Sequence, residues 1–149
     1  MFQTSLPALA PAPAFIATSI GYVFVYGTLR EGGDNDISRL HPAPQFVGRA
    51  QVKGTLYHLG RYPGLTLGGA TAVVGEVYAI TPELEQVLDE IEELYPLQTN
   101  EYFKEILPVD VAGRTVPCIV YVINPDRTVG KPVLTGGDWV VERDTFTVR

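Results

Sequence analysis

Cysteine is nearly absent: Cys118 is the only one in 149 residues. An intramolecular disulfide is therefore excluded, and the chain fits a reducing cytoplasm. Cys118 lies inside the apolar run Val116–Val122, where a thiol packs as a small hydrophobe more readily than it attacks a substrate. Histidine is scarce too, with only His41 and His58. No His/Cys cluster has metal-ligand spacing, which argues against a zinc site and against a Ser-His-Asp triad. No carboxylate-rich loop points to an oxygen-only Mg²⁺ or Ca²⁺ site. Positive charge is in deficit, with 11 Lys and Arg against 17 Asp and Glu and a formal net charge of −6. A chain that bound nucleic acid through its phosphates would need a basic face, so that class of partner is not expected. No apolar run reaches the roughly eighteen residues of a membrane span, and no internal repeat is visible.

What remains is the composition of one globular domain. Hydrophobic residues make up 46% and charged residues 19%, and the length suits a single core that needs no metal or disulfide staple. Fifteen Gly and twelve Pro imply many turns and favour a β-rich fold over a helix bundle. Residues 1–19 are rich in Ala and Pro, and their prolines break any signal-peptide apolar region. They read as a flexible tail before a domain spanning 20–149.

The expected elements alternate strands with one strong helix. Tyr22–Tyr26, Phe46–Tyr57 and Thr71–Ile80 read as strands. Tyr102–Val111 and Thr115–Ile123 read as a hairpin turning near Ala112-Gly113-Arg114, and Thr145–Val148 as a final edge strand. Asp36–Leu40 suggests a short helical turn. The principal helix opens with Thr81 as N-cap and Pro82 at N1, and Glu83 and Glu85 suit its positive end. Leu84, Val87, Leu88 and Ile91 form its buried stripe.

This helix carries six acids, and at about 100° per residue they do not share one face. Asp89, Glu90 and Glu93 fall about 120° or more from Leu84, on the wet side. Glu85 falls at about 100°, near the N-terminus, where the dipole explains it. Glu92 falls at about 80°, on the shoulder of the apolar stripe. Two readings are open there. Partial desolvation would raise its pKa and make it a base near neutral pH; alternatively it is a boundary carboxylate paired to a cation.

The first strand ends abruptly in Tyr26-Gly27-Thr28-Leu29-Arg30, followed by the polar Glu31–Asn35. Gly27 marks a sharp turn or a close approach. Successive peptide N–H groups beyond a strand end can form an anion-binding concavity, although an ordinary polar loop would read the same way. Arg30 could offer a cation to a carboxylate, although long loop cations are usually just solvated, and Glu76 reads as an outward or paired strand residue. Tyr62-Pro63-Gly64 is a turn or a pocket wall, and Tyr121 a strand residue packed in or beside the core.

The segment Val23-Phe24-Val25-Tyr26-Gly27-Thr28-Leu29-Arg30 closely resembles the opening of the gamma-glutamylcyclotransferase-like family. Tyr62-Pro63-Gly64-Leu65, Gly75-Glu76-Val77-Tyr78, Leu88-Asp89-Glu90-Ile91-Glu92 and Gly137-Asp138-Trp139 are similar to further segments of that family, in the same order. Five pieces in register are far more specific than any one of them.

The resemblance implies an α+β fold, a small mixed β-barrel with one principal helix and short helices packed around it. It implies an intramolecular reaction: the α-amine of a γ-glutamyl group attacks its own side-chain amide, releasing 5-oxoproline and a free amine. Such a reaction needs no cofactor and no external nucleophile. Glu92 would be the catalytic acid/base. Tyr26, Gly27, Thr28, Leu29 and Tyr121 would bind the small γ-glutamyl substrate. Lys104 stands where the family pattern suggests Arg, and would alter specificity if that position touched substrate or change little if it only paired with an acid. The competing reading is a non-catalytic metabolite-binding module on the same fold.

Overall fold

The computed structural model describes residues 21–144; the expected N-terminal tail and the expected strand at Thr145–Val148 lie outside them. Six strands form one mixed sheet. They are β1 (Gly21–Val25), β2 (Gln45–His58), β3 (Pro63–Leu67), β4 (Thr71–Ile80), β5 (Tyr102–Val111) and β6 (Arg114–Ile123), in the order β3-β2-β4-β1-β6-β5. β1 sits in the middle, antiparallel to β4 and parallel to β6. The helix α1 (Pro82–Ile91) follows β4, and a short helix α2 (Trp139–Glu142) follows β6.

The central position of β1 explains its continuous apolar run. Phe24 points into one core with Leu56, Leu65, Val77, Val120 and Trp139. Val23 and Val25 point the other way, into a second core with Ile80, Leu84, Leu88 and Ile119. A strand buried on both faces has no polar side to show. The long β2 bulges between Phe46 and Gly48 and bends, and the sheet curls into a half-barrel. Across the curl, a Cβ on Gly64 of β3 would lie 2.7 Å from Ile123 Cβ of β6. Glycine is what lets these strands touch.

The expected helix forms as its signals predict. Thr81 Oγ1 accepts from Leu84 N–H at 3.2 Å, Pro82 is the first helical residue, and Leu84 and Leu88 are buried. The β5–β6 hairpin turns through Ala112 (φ 52°) and Gly113 (φ 78°), as a tight hairpin requires. Tyr62-Pro63-Gly64 is more than a turn: Pro63 begins β3 at the sheet edge, where a missing N–H costs no ladder bond. Cys118 is fully buried, and burial pushes its thiol up to about 11, so it remains a protonated core residue.

Arg30 is not solvated. It is 3% exposed, with Nε donating to Glu76 at 3.0 Å and Nη1 to Asp138 at 2.9 Å. Glu76, 5% exposed, faces inward and also accepts from Tyr78 O–H at 2.9 Å and Glu31 N–H at 3.0 Å. Asp138 in turn caps α2 by accepting from Val140 N–H at 3.1 Å. One guanidinium thus joins the loop after β1, the strand β4 and the start of α2. Its planar fork reaches two carboxylates in different directions, which a lone ammonium would do poorly. Replacing Arg30 by Leu strands two carboxylates, one of them buried. The expected loss is about 3–5 kcal/mol of unfolding free energy, read by urea denaturation.

Candidate active site

The loop after β1 closes on itself. Arg30 N–H donates to Gly27 O at 3.0 Å, Asn35 N–H to Thr28 O at 2.9 Å and Ile37 N–H to Leu29 O at 3.0 Å. Asp36 accepts from Gly32 N–H and Ser38 N–H; although burial opposes its ionisation, these bonds hold its carboxyl below the usual carboxylate range. With the carbonyls turned inward, the N–H groups of Thr28 and Leu29 have no acceptor among the described residues. Gly27 makes the close approach its position suggests: a Cβ there would meet Pro63 Cγ at 2.6 Å.

A pocket of about 320 Å³ opens between this loop, the end of α1 and the start of β5, within the range of small-molecule sites. Every residue the sequence nominates lines it: Glu92, Tyr26, Gly27, Thr28, Leu29 and Tyr121. Residues nominated less firmly or not at all join them. Tyr62 and Pro63 form a wall, and Asp34, Arg61, Glu93, Glu101 and Tyr102 are among the other lining residues.

The end of α1 places Glu92. Glu92 N–H still donates to Leu88 O at 2.9 Å, so the helical spacing holds to this residue. Glu93 then turns left-handed at φ 61°, with Glu93 N–H to Glu90 O at 3.1 Å and Leu94 N–H to Asp89 O at 2.8 Å. This is a Schellman cap with glutamate where glycine is usual. The chain turns away at once and leaves the Glu92 carboxyl at the pocket. Burial, and then the nearby charges of Glu101 and Glu93, push it up to about 7.

Four tyrosines line the pocket beside Glu92, and each hydroxyl is committed elsewhere. Tyr26 donates to Tyr121 O at 2.6 Å and accepts from Leu65 N–H at 3.2 Å. Tyr102 donates to Pro63 O at 2.7 Å, Tyr62 to Glu101 Oε2 at 2.5 Å and Tyr121 to Asp89 Oδ1 at 2.7 Å. Burial raises all of Tyr26, Tyr102 and Tyr121 well above the ordinary phenol range; the hydrogen bond to Glu101, with burial, pushes Tyr62 up to about 12. They remain neutral and serve as walls and struts, while the Glu92 carboxyl receives no hydrogen bond among the described residues.

Two expectations for the helix acids are corrected. Asp89 is not on the wet face: it is half-buried and holds the Tyr121 hydroxyl. Glu85 does more than complement the dipole, since it accepts from Lys104 Nζ at 2.6 Å. Lys104 also reaches Asp89 at 2.9 Å and is not among the pocket-lining residues. It ties β5 to α1. His58 is structural as well: its Nδ1 accepts from Gly60 N–H at 3.1 Å and its Nε2 donates to Arg143 O at 2.7 Å.

A small mixed α+β half-barrel thus carries one small-molecule pocket lined by Glu92, whose carboxyl accepts no hydrogen bond among the described residues, and by Thr28 and Leu29, whose N–H groups have no acceptor among them. The family described as gamma-glutamyl cyclotransferase, AIG2-like, matches residues 23–141, and the chain belongs to it. Gamma-L-glutamyl-butirosin B gamma-glutamyl cyclotransferase of Niallia circulans is 37% identical over 107 residues, covering 70% of this chain and 67% of that protein. A putative gamma-glutamylcyclotransferase of Vibrio cholerae is 42% identical over 74 residues, covering 48% of this chain and 62% of that one. The crystal structure of an AIG2-like protein from Mus musculus has a TM-score of 0.63 at 29% identity, covering 78% of this chain and 87% of that one. No helix among the described residues is long and apolar enough to cross a membrane.

The raised Glu92 couples the pocket to stability. In the unfolded chain this carboxyl ionises near 4.5, and in the fold near 7. Between those values the folded state binds the extra proton, so stability falls as pH rises through the window. Glu92→Gln is therefore expected to melt at a higher temperature than wild type at pH 8, by an equivalent of up to about 3 kcal/mol. Thermal melts should show the advantage shrinking towards pH 4.5.

Proposed function

We propose that this protein is a γ-glutamyl cyclotransferase that releases 5-oxoproline from small γ-glutamyl compounds. The observation that carries the reading is the Glu92 carboxyl, raised to about 7 and without a hydrogen-bond partner among the described residues, in one pocket with Thr28 and Leu29, whose N–H groups have no acceptor among those residues. The substrate's α-ammonium gives a proton to Glu92, and the freed amine attacks the γ-carbonyl carbon. A ring C–N bond forms and the original amide C–N bond breaks. Glu92 returns its proton to the departing amine, so the carboxylate is regenerated and no other reactant is consumed. The N–H groups of Thr28 and Leu29 hold an anionic oxygen of the substrate. Tyr26 and Tyr121 press the chain into the folded conformer that ring closure requires, the part of catalysis that comes from orientation.

The outer wall favours particular leaving groups. Asp34, Glu93 and Glu101 stand there against Arg61, the one Lys or Arg among the lining residues. This excess of negative charge disfavours a leaving group that carries its own carboxylate. A γ-glutamyl amide of a simple or cationic amine is expected to exceed a γ-glutamyl amino acid in kcat/KM by about tenfold, an electrostatic difference of about 1.4 kcal/mol.

The test is 5-oxoproline release from a panel of γ-glutamyl amines, γ-glutamyl amino acids and γ-L-glutamyl-butirosin B, the compound in the Niallia circulans relative's name. Wild type is expected to turn over at least one, with kcat/KM falling below about pH 7 as Glu92 takes up its proton. Glu92→Gln should lose at least about 10³-fold while retaining substrate affinity. Saturable binding without release across the panel would instead identify a binding module.

A further inference from the structure

Glu101 is a pocket carboxylate that no sequence motif singles out, and the fold holds it with unusual care. The preceding residue, Asn100, adopts φ 65°. The end of β6 grips both residues: Asn124 N–H donates to Glu101 O at 2.8 Å, and Asn124 Nδ2 to Asn100 O at 2.9 Å. Arg127 Nη2 donates to Thr99 O at 3.2 Å. The side chain is tethered as well, with Tyr62 O–H on Oε2 at 2.5 Å, a short bond of the charge-assisted kind. Tyr62 itself is anchored by its ring against Tyr102, with centroids 6.3 Å apart.

Groups on several elements face Glu92. Glu93 extends from the same helix end, Glu101 and Tyr102 from the start of β5, and Tyr26 and Tyr121 from β1 and β6. Asp34, Arg61 and Tyr62 stand on the loops opposite. The tyrosine protons are all directed to other acceptors. Glu93 is exposed and its charge is screened by water. Glu101 is half-buried and fixed in place.

We propose that Glu101 is a positioning residue of the reaction, acting through Glu92 by the fixed negative charge that Tyr62 and the Asn124 clamp hold at the pocket. Two carboxylates on one small cavity repel, so Glu92 binds a proton more tightly than it would alone. The substrate ammonium supplies that proton. Its transfer to Glu92 relieves the repulsion and leaves the amine free to attack. Glu101 does not touch the reacting atoms in this scheme; it makes Glu92 a stronger base.

This inference rests on the cyclotransferase reading for its catalytic meaning, but its physical core is testable without turnover. The Glu92 carboxyl is followed by NMR titration of the protein with ¹³C-labelled glutamate, its signal assigned by its absence in Glu92→Gln. In Glu101→Gln, which keeps an acceptor for Tyr62, the Glu92 midpoint is expected to fall by about half a pH unit or more. The acidic limb of kcat/KM should fall with it. Glu101→Asp restores the charge and should return both towards wild type. Glu105→Gln, the same charge removal at an exposed position on β5, should move neither. Glu101→Thr serves the same purpose if Gln disturbs the loop.

An unchanged Glu92 midpoint in folded Glu101→Gln overturns the proposal, as does an equal shift in Glu105→Gln. If wild type releases no 5-oxoproline from any compound, the cyclotransferase reading fails, and the titration still decides whether Glu101 acts on Glu92.

Discussion

The structure depends on one buried cation. Arg30 sits on the loop after the central strand β1 and, instead of reaching solvent, turns into the protein to meet Glu76 and Asp138. A buried guanidinium is tolerated only when its charge is balanced and its donors are occupied. Here the two carboxylates come from parts of the chain 46 and 108 residues away. The network therefore adds more definition than stability: it allows one path for the loop between Gly27 and Asp36. That path turns the carbonyls of Gly27, Thr28 and Leu29 onto Arg30, Asn35 and Ile37, and sets the three residues along the pocket. The site is thus defined by a salt bridge that never touches it.

A second economy lies in the tyrosines. Packing four phenols around a carboxyl would ordinarily supply it with hydrogen bonds and lower its pKa. Each phenol is instead engaged by a backbone carbonyl or by another acid. The rings remove water from Glu92 while their hydroxyls withhold compensation. The desolvation that makes Glu92 useful is maintained by bonds that are individually structural. Tyr26 shows this most directly: its hydroxyl joins β6 to β3, and its ring lines the pocket.

Much of this was legible in the chain, because local rules decide it. The β5–β6 hairpin follows from alternation and a turn that accepts positive φ, and α1 follows from Thr81, Pro82 and the Leu84–Leu88 stripe. The helical angle of Glu92 survives into the structure because the backbone bond to Leu88 is still made there. The parts that were not legible depend on distant partners. Arg30 resembles any loop cation until β4 and α2 bring acids to it. Asp89 reads as solvated until β6 places the Tyr121 hydroxyl beside it. Glu101 carries no local signal, since Tyr62 and Asn124 reach it only after the sheet curls. β3 was hidden because Pro and Gly are turn residues in isolation, whereas Pro63 sits at an edge where a strand can begin with it. Lys104 was open between substrate and salt bridge, and only the fold shows the acids it pairs with, Glu85 and Asp89 on α1.

The Schellman cap has a consequence for the field in the pocket. A helix carries partial negative charge at its C-terminus, equivalent to about half an electron. Because Glu93 turns the chain sharply, α1 stops at the cavity rather than running past it. The peptide dipoles of α1 therefore act in the same direction as the acidic side chains at its end. They oppose ionisation of an empty pocket and favour one that holds an amine. The cavity thus attracts an ammonium ion through its backbone as well as its side chains, and no side-chain substitution in the helix would remove that part of the attraction.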